Sequence, residues 1–295
     1  MSESASQTQI GKPQYVFLIG AAKCGTTALA DMLDQHPDIT VSNPKEPDFF
    51  ADPQYQGKFA KYDACFDSSR AYRYRLDASV GYTADWKGVS KAIAERISGY
   101  APSARLIYVV RDPIERTRSA YWHAVRAGYE DLAFWDSIQN LGIDHITASR
   151  YTDRIDEYLT FFPQTQLLLL TFQDLRTNPE EVLRRVTDFL DLPPLHGVNM
   201  HQETNRTYQL SRMGKLVHAV LPKERITAAV KFVKATMPKR IVDKLYDAYA
   251  RPIPEMTQRE AQYLAALFKV EVAEMQRRYG IDLRTSKWWK SPPSK

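Results

Sequence analysis

Cysteine is scarce: two residues in 295, Cys24 and Cys65. Two thiols build neither a disulfide framework nor a zinc cluster, and they suit a reducing compartment. The six histidines, including His36, His145 and His201, show no ligand spacing, so no metal is expected. No apolar run approaches the length of a membrane span. The opening MSESASQTQIGKPQ is polar and lacks the apolar core of a signal peptide. Residues 1–14 therefore read as a disordered tail, with a second tail at 290–295 and a cytoplasmic location expected. Also missing are internal repeats, low-complexity segments and the G-x-S-x-G hydrolase signature. Basic residues are spread along the chain, so nucleic acid is not an expected partner.

What is present suits one domain over residues 15–289. Hydrophobic residues make up 44% of the chain and charged residues 25%, enough for a large core. The net charge of +5 is compatible with an anionic ligand.

The stretch Tyr15 to Leu29, YVFLIGAAKCGTTAL, organises the rest. Tyr15 to Ile19 is a short apolar run, the pattern of a strand covered on both faces. Gly20 permits a tight turn, and Thr26 and Thr27 are positioned to cap a helix carrying Leu29, Met32 and Leu33. Loop N–H groups and a helix N-terminus that point one way make an anion site. The nucleotide-binding P-loop is G-x-x-x-x-G-K-[ST]. Gly20, Gly25 and Thr27 keep that spacing, but Thr26 stands where the lysine belongs, and the lysine is Lys23, inside the loop. A ligand-free strand-to-helix turn could carry the same two glycines. The loop's polarity and its lysine favour an anion site. Cys24 within it reads as a small filler or a reactive thiol.

Further strands are expected at Ile39–Val41, Arg75–Val80, Arg105–Val110 and 167–172, and helices at Val89–Ile97, about 150–161 and Glu180–Leu190. Asp112 is a natural N-cap with Pro113 at the first position of the next helix. Beyond about 205 the chain reads as helical, its segments separated by Pro222, Pro238, Pro252 and Pro254. The fold class is α/β: a central parallel sheet with flanking helices and a helical C-terminal third. Residues 51–75 read as a surface excursion. That stretch and the helical 195–255 region are the expected acceptor-binding parts.

Two more constellations carry chemistry. Arg111 leaves a strand end and Ser119 lies two turns along the following helix. Together they can hold a phosphate, or Arg111 can simply pair with Asp112 or Glu115 and Ser119 face solvent. Glu46 sits between Lys45 and Pro47, followed by Asp48, Phe49 and Phe50. Held partly out of water, it is a candidate general base; left in water, it is an ordinary loop acid.

These segments resemble one family. GAAKCGTTAL resembles the 5′-phosphosulfate loop of sulfotransferases that use 3′-phosphoadenosine 5′-phosphosulfate (PAPS). RDPIERTRSAYWH is similar to their 3′-phosphate motif, and KEPDFF to the segment bearing the catalytic glutamate in the heparan-type branch. DASVGYT and the stretch from RPIPEM to LRTSKW resemble further parts of that branch. The likeness runs from about residue 14 to 289 and implies a P-loop-like sulfotransferase fold. It implies PAPS as donor, 3′-phosphoadenosine 5′-phosphate as product, and no metal. It implies that Lys23, Cys24, Gly25, Thr26 and Thr27 hold the 5′-phosphosulfate, with Lys23 also catalytic. Arg111 and Ser119 would hold the 3′-phosphate, and Glu46 would be the base. Arg251 falls where the family often has a Lys-Gly-Arg loop, although Tyr249 and Ala250 replace its first two residues. Asp48 stands where related bacterial sequences often have histidine. The acceptor implied is a hydroxyl or amine on a saccharide, lipid or small molecule. The alternatives are a nucleotide-dependent kinase, which would want a lysine at Thr26, and a non-catalytic nucleotide or anionic-glycan binding module.

Overall fold

Five parallel strands carry the fold in the order β2-β3-β1-β4-β5. The computed structural model describes residues 13–84, 89–141, 144–198, 208–221 and 223–289. The chain begins β1 (Gln14–Gly20), α1 (Thr26–Leu33), β2 (Ile39–Val41), α2 (Phe59–Asp63), β3 (Tyr74–Asp77), α3 (Ser90–Tyr100) and β4 (Arg105–Val110). It continues through α4 (Pro113–Ala127), α5 (Phe134–Ile138), α6 (Asp144–Thr147), α7 (Tyr151–Leu159), β5 (Leu167–Thr171), α8 (Phe172–Thr177) and α9 (Pro179–Phe189). The last third is α10 (Arg212–Val220), α11 (Lys223–Thr236), α12 (Lys239–Tyr249), α13 (Gln258–Leu267) and α14 (Lys269–Tyr279), with strands β6 (Tyr208–Leu210) and β7 (Ala250–Pro252) framing the first three.

The expected α/β class, parallel sheet and helical final third are all present. Val16 to Ile19 and Leu106 to Val110 are buried on both faces, as parallel strands under helices must be. Val16 stands opposite Leu76 of β3, and Phe17 opposite Leu106 of β4. From β1 the chain runs out to β2, returns to β3, then crosses to β4 on the other side of β1. That reversal makes the carboxyl end of β1 the place for a ligand.

Several expectations need correction. Gly25, not Thr26 or Thr27, is the N-cap of α1; it is left-handed at φ 83°, and both threonines lie inside the first turn. Residues 51–75 lie mostly at the surface, as expected, but they and the preceding phenylalanines anchor an aromatic cluster. Phe49, Phe50, Tyr62 and Phe66 are buried, Phe49 stacks on Tyr62 at 4.4 Å, and Phe59 stacks on Tyr100 at 5.1 Å. Aromatic rings joined through space need no sequence period, so periodicity misses them. The third strand stops at Asp77 and the chain then turns through a short 3₁₀ helix, Val80–Thr83. Helix α9 starts one residue early because Asn178 caps it and Pro179 fits its first position. The antiparallel β6–β7 ribbon is an addition: Gln209 pairs with Arg251. As expected, Asp112 caps α4, its Oδ1 accepting from the N–H groups of Ile114 at 3.0 Å and Glu115 at 3.2 Å. Of the expected tail at 1–14, Gln14 already belongs to β1; residues 1–12, the expected tail at 290–295, the break at Pro222, and His201 lie outside the described residues.

Candidate active site

Every strand of the main sheet points the same way, so all five carboxyl ends open on one edge. Along it stand the Glu46 loop after β2, the Val80–Thr83 turn after β3, the Gly20–Thr27 loop after β1, Arg111 after β4 and Phe172 after β5. Neighbouring strands are about 4.8 Å apart, so three spacings, roughly 14 Å, separate β2 from β4.

The central loop is shaped by what its glycines exclude. A Cβ on Gly25 would lie 2.9 Å from both Leu175 and Phe172, and its left-handed backbone already favours glycine. A Cβ on Gly20 would lie 2.1 Å from Thr83 Oγ1, whose hydroxyl donates to Ile19 O at 2.7 Å. Lys23 is itself left-handed, at φ 70°. Beyond Gly25 the first N–H groups of α1 have no intrahelical partner and form the positive end of the helix dipole.

Cations gather around this loop. Arg111 Nη1 donates to Lys23 O at 3.1 Å, and its guanidinium lies over the Phe172 ring at 4.5 Å. Tyr151 holds Arg111 by donating to its carbonyl at 2.8 Å. Arg111 also approaches Glu115, at 3.6 Å, so the simple pairing read from sequence is present alongside the loop contact. Arg116, which the sequence does not single out, is buried; its Nε donates to Ala22 O at 3.1 Å and its Nη1 to Ser149 Oγ at 3.3 Å. Burial, with Arg126, Arg111 and Arg116 nearby, lowers the Lys23 ammonium to about 8. Among the described residues no carboxylate pairs with Lys23, and a lysine so crowded by arginines favours an anion beside it.

Ser119 lies buried in α4 rather than facing solvent. Thr26 is buried and Thr27 exposed. Cys24 is fully buried, and burial pushes its thiol up, which makes it a filler and not a reactive group. Its N–H donates to Ala21 O at 3.2 Å.

A cavity of about 690 Å³ opens at the ends of β4 and β5, walled by Arg111, Glu115, Arg118, Phe172, Arg176 and Trp288 among others. Its far wall is the segment after α14. There Asp112 Oδ2 accepts from Ser286 N at 3.0 Å and Trp289 Nε1 at 2.8 Å. Arg111 touches both cavity and loop, whereas Lys23, Gly25, Thr26 and Thr27 do not line the cavity. Arg251 is exposed on β7 and is likewise outside its walls. The ribbon packs through β6 against α4, and Arg118 Nη2 fixes the following loop by donating to Pro254 O at 2.6 Å.

On the β2–β3 side three carboxylates gather around one lysine. Lys45 Nζ donates to Glu46 Oε1 at 2.8 Å and to Ala78 O at 3.4 Å. Glu46 is exposed, and so, taken as a whole residue, is Asp48. Its Oδ1 lies 2.8 Å from where a Cβ on Gly81 would stand. Burial, with Glu46 and Asp77 close, raises Asp48 to about 6. Asp48 N donates to Ser79 Oγ at 3.0 Å, and Ser79 Oγ donates to Asp77 at 2.6 Å. Asp77 is fully buried and also accepts from the hydroxyls of Tyr62 and Tyr82, each at 2.8 Å.

Residues 13–224 match the family model described as the sulfotransferase domain. The chain belongs to that family. Among curated sulfotransferases it is 30% identical over 196 residues to mouse (Mus musculus) heparan sulfate glucosamine 3-O-sulfotransferase 3B1, covering 61% of this chain and 46% of that one. It is 27% identical over 198 residues to the human (Homo sapiens) bifunctional heparan sulfate N-deacetylase/N-sulfotransferase 2, covering 60% of this chain and 22% of that one. The chain thus spans less than half the length of these curated relatives. The crystal structure of a sulfotransferase from Alicyclobacillus acidocaldarius has the same fold, with a TM-score of 0.67 at 23% identity, covering 95% of this chain and 100% of that one.

The sulfotransferase fold thus joins a cationic loop and an acidic loop across the end of β1, with the Val80–Thr83 turn touching both, through Thr83 on one side and Gly81 on the other. Among the described residues, no group of three or more His, Cys, Asp or Glu side chains is placed to hold a metal.

Proposed function

We propose that the chain moves the sulfuryl group of PAPS to a hydroxyl or amine of a small-molecule, lipid or saccharide acceptor. The observation that carries this reading is Lys23: a left-handed loop lysine beside a helix N-terminus, crowded by Arg111, Arg116 and Arg126. That setting fits a phosphosulfate. The cavity is of the size that holds a nucleotide-sized ligand, and three of its arginines, Arg111, Arg118 and Arg176, suit a second phosphate.

In this reading the N–H groups at Gly25, Thr26 and Thr27 hold the 5′-end, with Cys24 filling beneath. Arg111 and Ser119 hold the 3′-phosphate. Arg251 closes over the donor from the ribbon. The donor supplies an activated sulfuryl group whose bridging bond to the 5′-phosphate breaks as the acceptor oxygen or nitrogen bonds to sulfur. Lys23 stabilises charge at the departing phosphate, and Glu46 takes the acceptor proton. Transfer of a singly charged group asks less of a metal than transfer from a nucleoside triphosphate. The relatives' names include heparan sulfate glucosamine, which keeps saccharides among the acceptors. The two free cysteines suit work in a reducing, cytoplasmic setting.

Thermal shift separates this from a kinase or a silent binding module. Stabilisation by 3′,5′-adenosine bisphosphate, and not by ATP with magnesium, is expected. No response to the bisphosphate at millimolar concentration removes the reading. Labelled PAPS screened against hydroxyl and amine acceptors then tests transfer itself.

A further inference from the structure

The positive charge of the chain is not evenly spread in effect. Residues 212–249 contain nine Lys or Arg against three Asp or Glu, and the remainder contains 31 against 32. The whole excess of the protein therefore sits on α10–α12, three helices that pack on one another.

The same helices leave their apolar side chains in water. Of thirteen large hydrophobic side chains exposed among the described residues, nine fall between Met213 and Leu245. On α10, Met213, Leu216 and Val220 stand at i, i+3 and i+7, a single stripe, with Leu216 65% and Val220 70% exposed. On α12, Ile241 and Leu245 repeat at i, i+4, and on α11 Phe232 is 64% exposed. An amphipathic helix in a globule turns such a stripe inward; here the stripes face out. Arg225, Arg240 and Lys244 are exposed on the same helices.

We propose that the α10–α12 arm docks on an anionic lipid surface, apolar stripes in the headgroup boundary and cations on the lipid charges. Charge decides against a second copy of the chain as the occupant. A two-fold contact would set two arms, each with six excess positive charges, against one another. An anionic bilayer satisfies both the apolar and the charged side chains. The arm grows from the β6–β7 ribbon that packs on α4, so docking holds the Arg111 side of the site near that surface.

Flotation of the full chain with vesicles of phosphatidylcholine, alone or mixed with phosphatidylserine, tests this without any catalytic readout. Binding to the mixed vesicles only is expected, weakened at least about tenfold when salt is raised to about 0.5 M. Two paired variants, Leu216→Ser with Phe232→Ser and Arg240→Gln with Lys244→Gln, should each lower vesicle partitioning by a similar factor. Their melting curves and bisphosphate response should match the wild type, because all four positions are exposed. Failure of the wild-type chain to bind mixed vesicles at millimolar lipid overturns the proposal. So does a dimer in light scattering that the Leu216→Ser, Phe232→Ser variant dissolves.

Discussion

The two loops that flank β1 are opposites. On the β4 side, Lys23, Arg111 and Arg116 are held by carbonyl groups and aromatic rings and crowd one another. On the β2–β3 side, Glu46 and Asp77 both lie close to Asp48, Lys45 pairs with Glu46, and the buried Asp77 is satisfied by hydroxyls and an N–H with no ion-paired cation among the described residues. In the proposed reaction the two halves would meet reactants of opposite demand, an anionic donor on one side and an acceptor that gives up a proton on the other.

The strongest way to break this comparison is on the acid side. Glu46→Gln should lower sulfuryl transfer by about 100- to 10,000-fold while leaving bisphosphate affinity near wild type. Single-turnover transfer and calorimetry read the two separately; undiminished transfer would move proton acceptance to Asp48. On the cationic side, Lys23→Ala should lower transfer by about 100- to 1,000-fold. A fall in bisphosphate affinity as large as the fall in rate would reduce Lys23 to a binding residue.

A stability measurement sharpens the contrast. Asp77→Ala removes the acceptor from two buried tyrosine hydroxyls, at about 1–3 kcal/mol each, and should show in denaturant unfolding. Thr27→Ala, at an exposed donor-side position, should leave unfolding almost unchanged.

The smallest effect is a pH dependence. Burial and the neighbouring arginines lower Lys23 to about 8, and a bound phosphate favours the charged ammonium. Bisphosphate affinity should therefore be flat between about pH 7, where the phosphates are fully ionised, and pH 8, and fall by up to about tenfold per pH unit above it. The ligand-free protein should behave oppositely. Between about 8 and the ordinary lysine value of 10.5, the unfolded chain holds a proton that the native lysine has lost, so this group's share of stability rises with pH. Lys23→Ala should flatten both trends; an unchanged affinity profile in that variant would detach the dependence from Lys23.

The sequence revealed the sheet more readily than it revealed the site's supports. Val16 to Ile19 and Leu106 to Val110 are legible because a strand buried on both faces is a continuous apolar run. The glycine spacing around Lys23 and the Asp112–Pro113 cap are local signals, and both are present in the fold. Arg116 was invisible because its partner, Ala22 O, is brought to it by the pairing of β1 with β4, across 94 residues. The aromatic packing of 49–66 has no period, and the approach of the Asp48 carboxyl to Gly81 joins segments distant in sequence. A three-residue ribbon ending in Pro252 offers too little pattern to be read in advance.

The Asp112 carboxylate carries a timing as well as a geometry. One oxygen caps its own helix; the other waits for Ser286 and Trp289, 174 and 177 residues further on. Closing so long a loop is entropically slow, so local caps and strand pairs form before it. The wall of the cavity beside Arg111 should therefore close after the sheet has paired, and in refolding the bisphosphate response should appear later than strand protection.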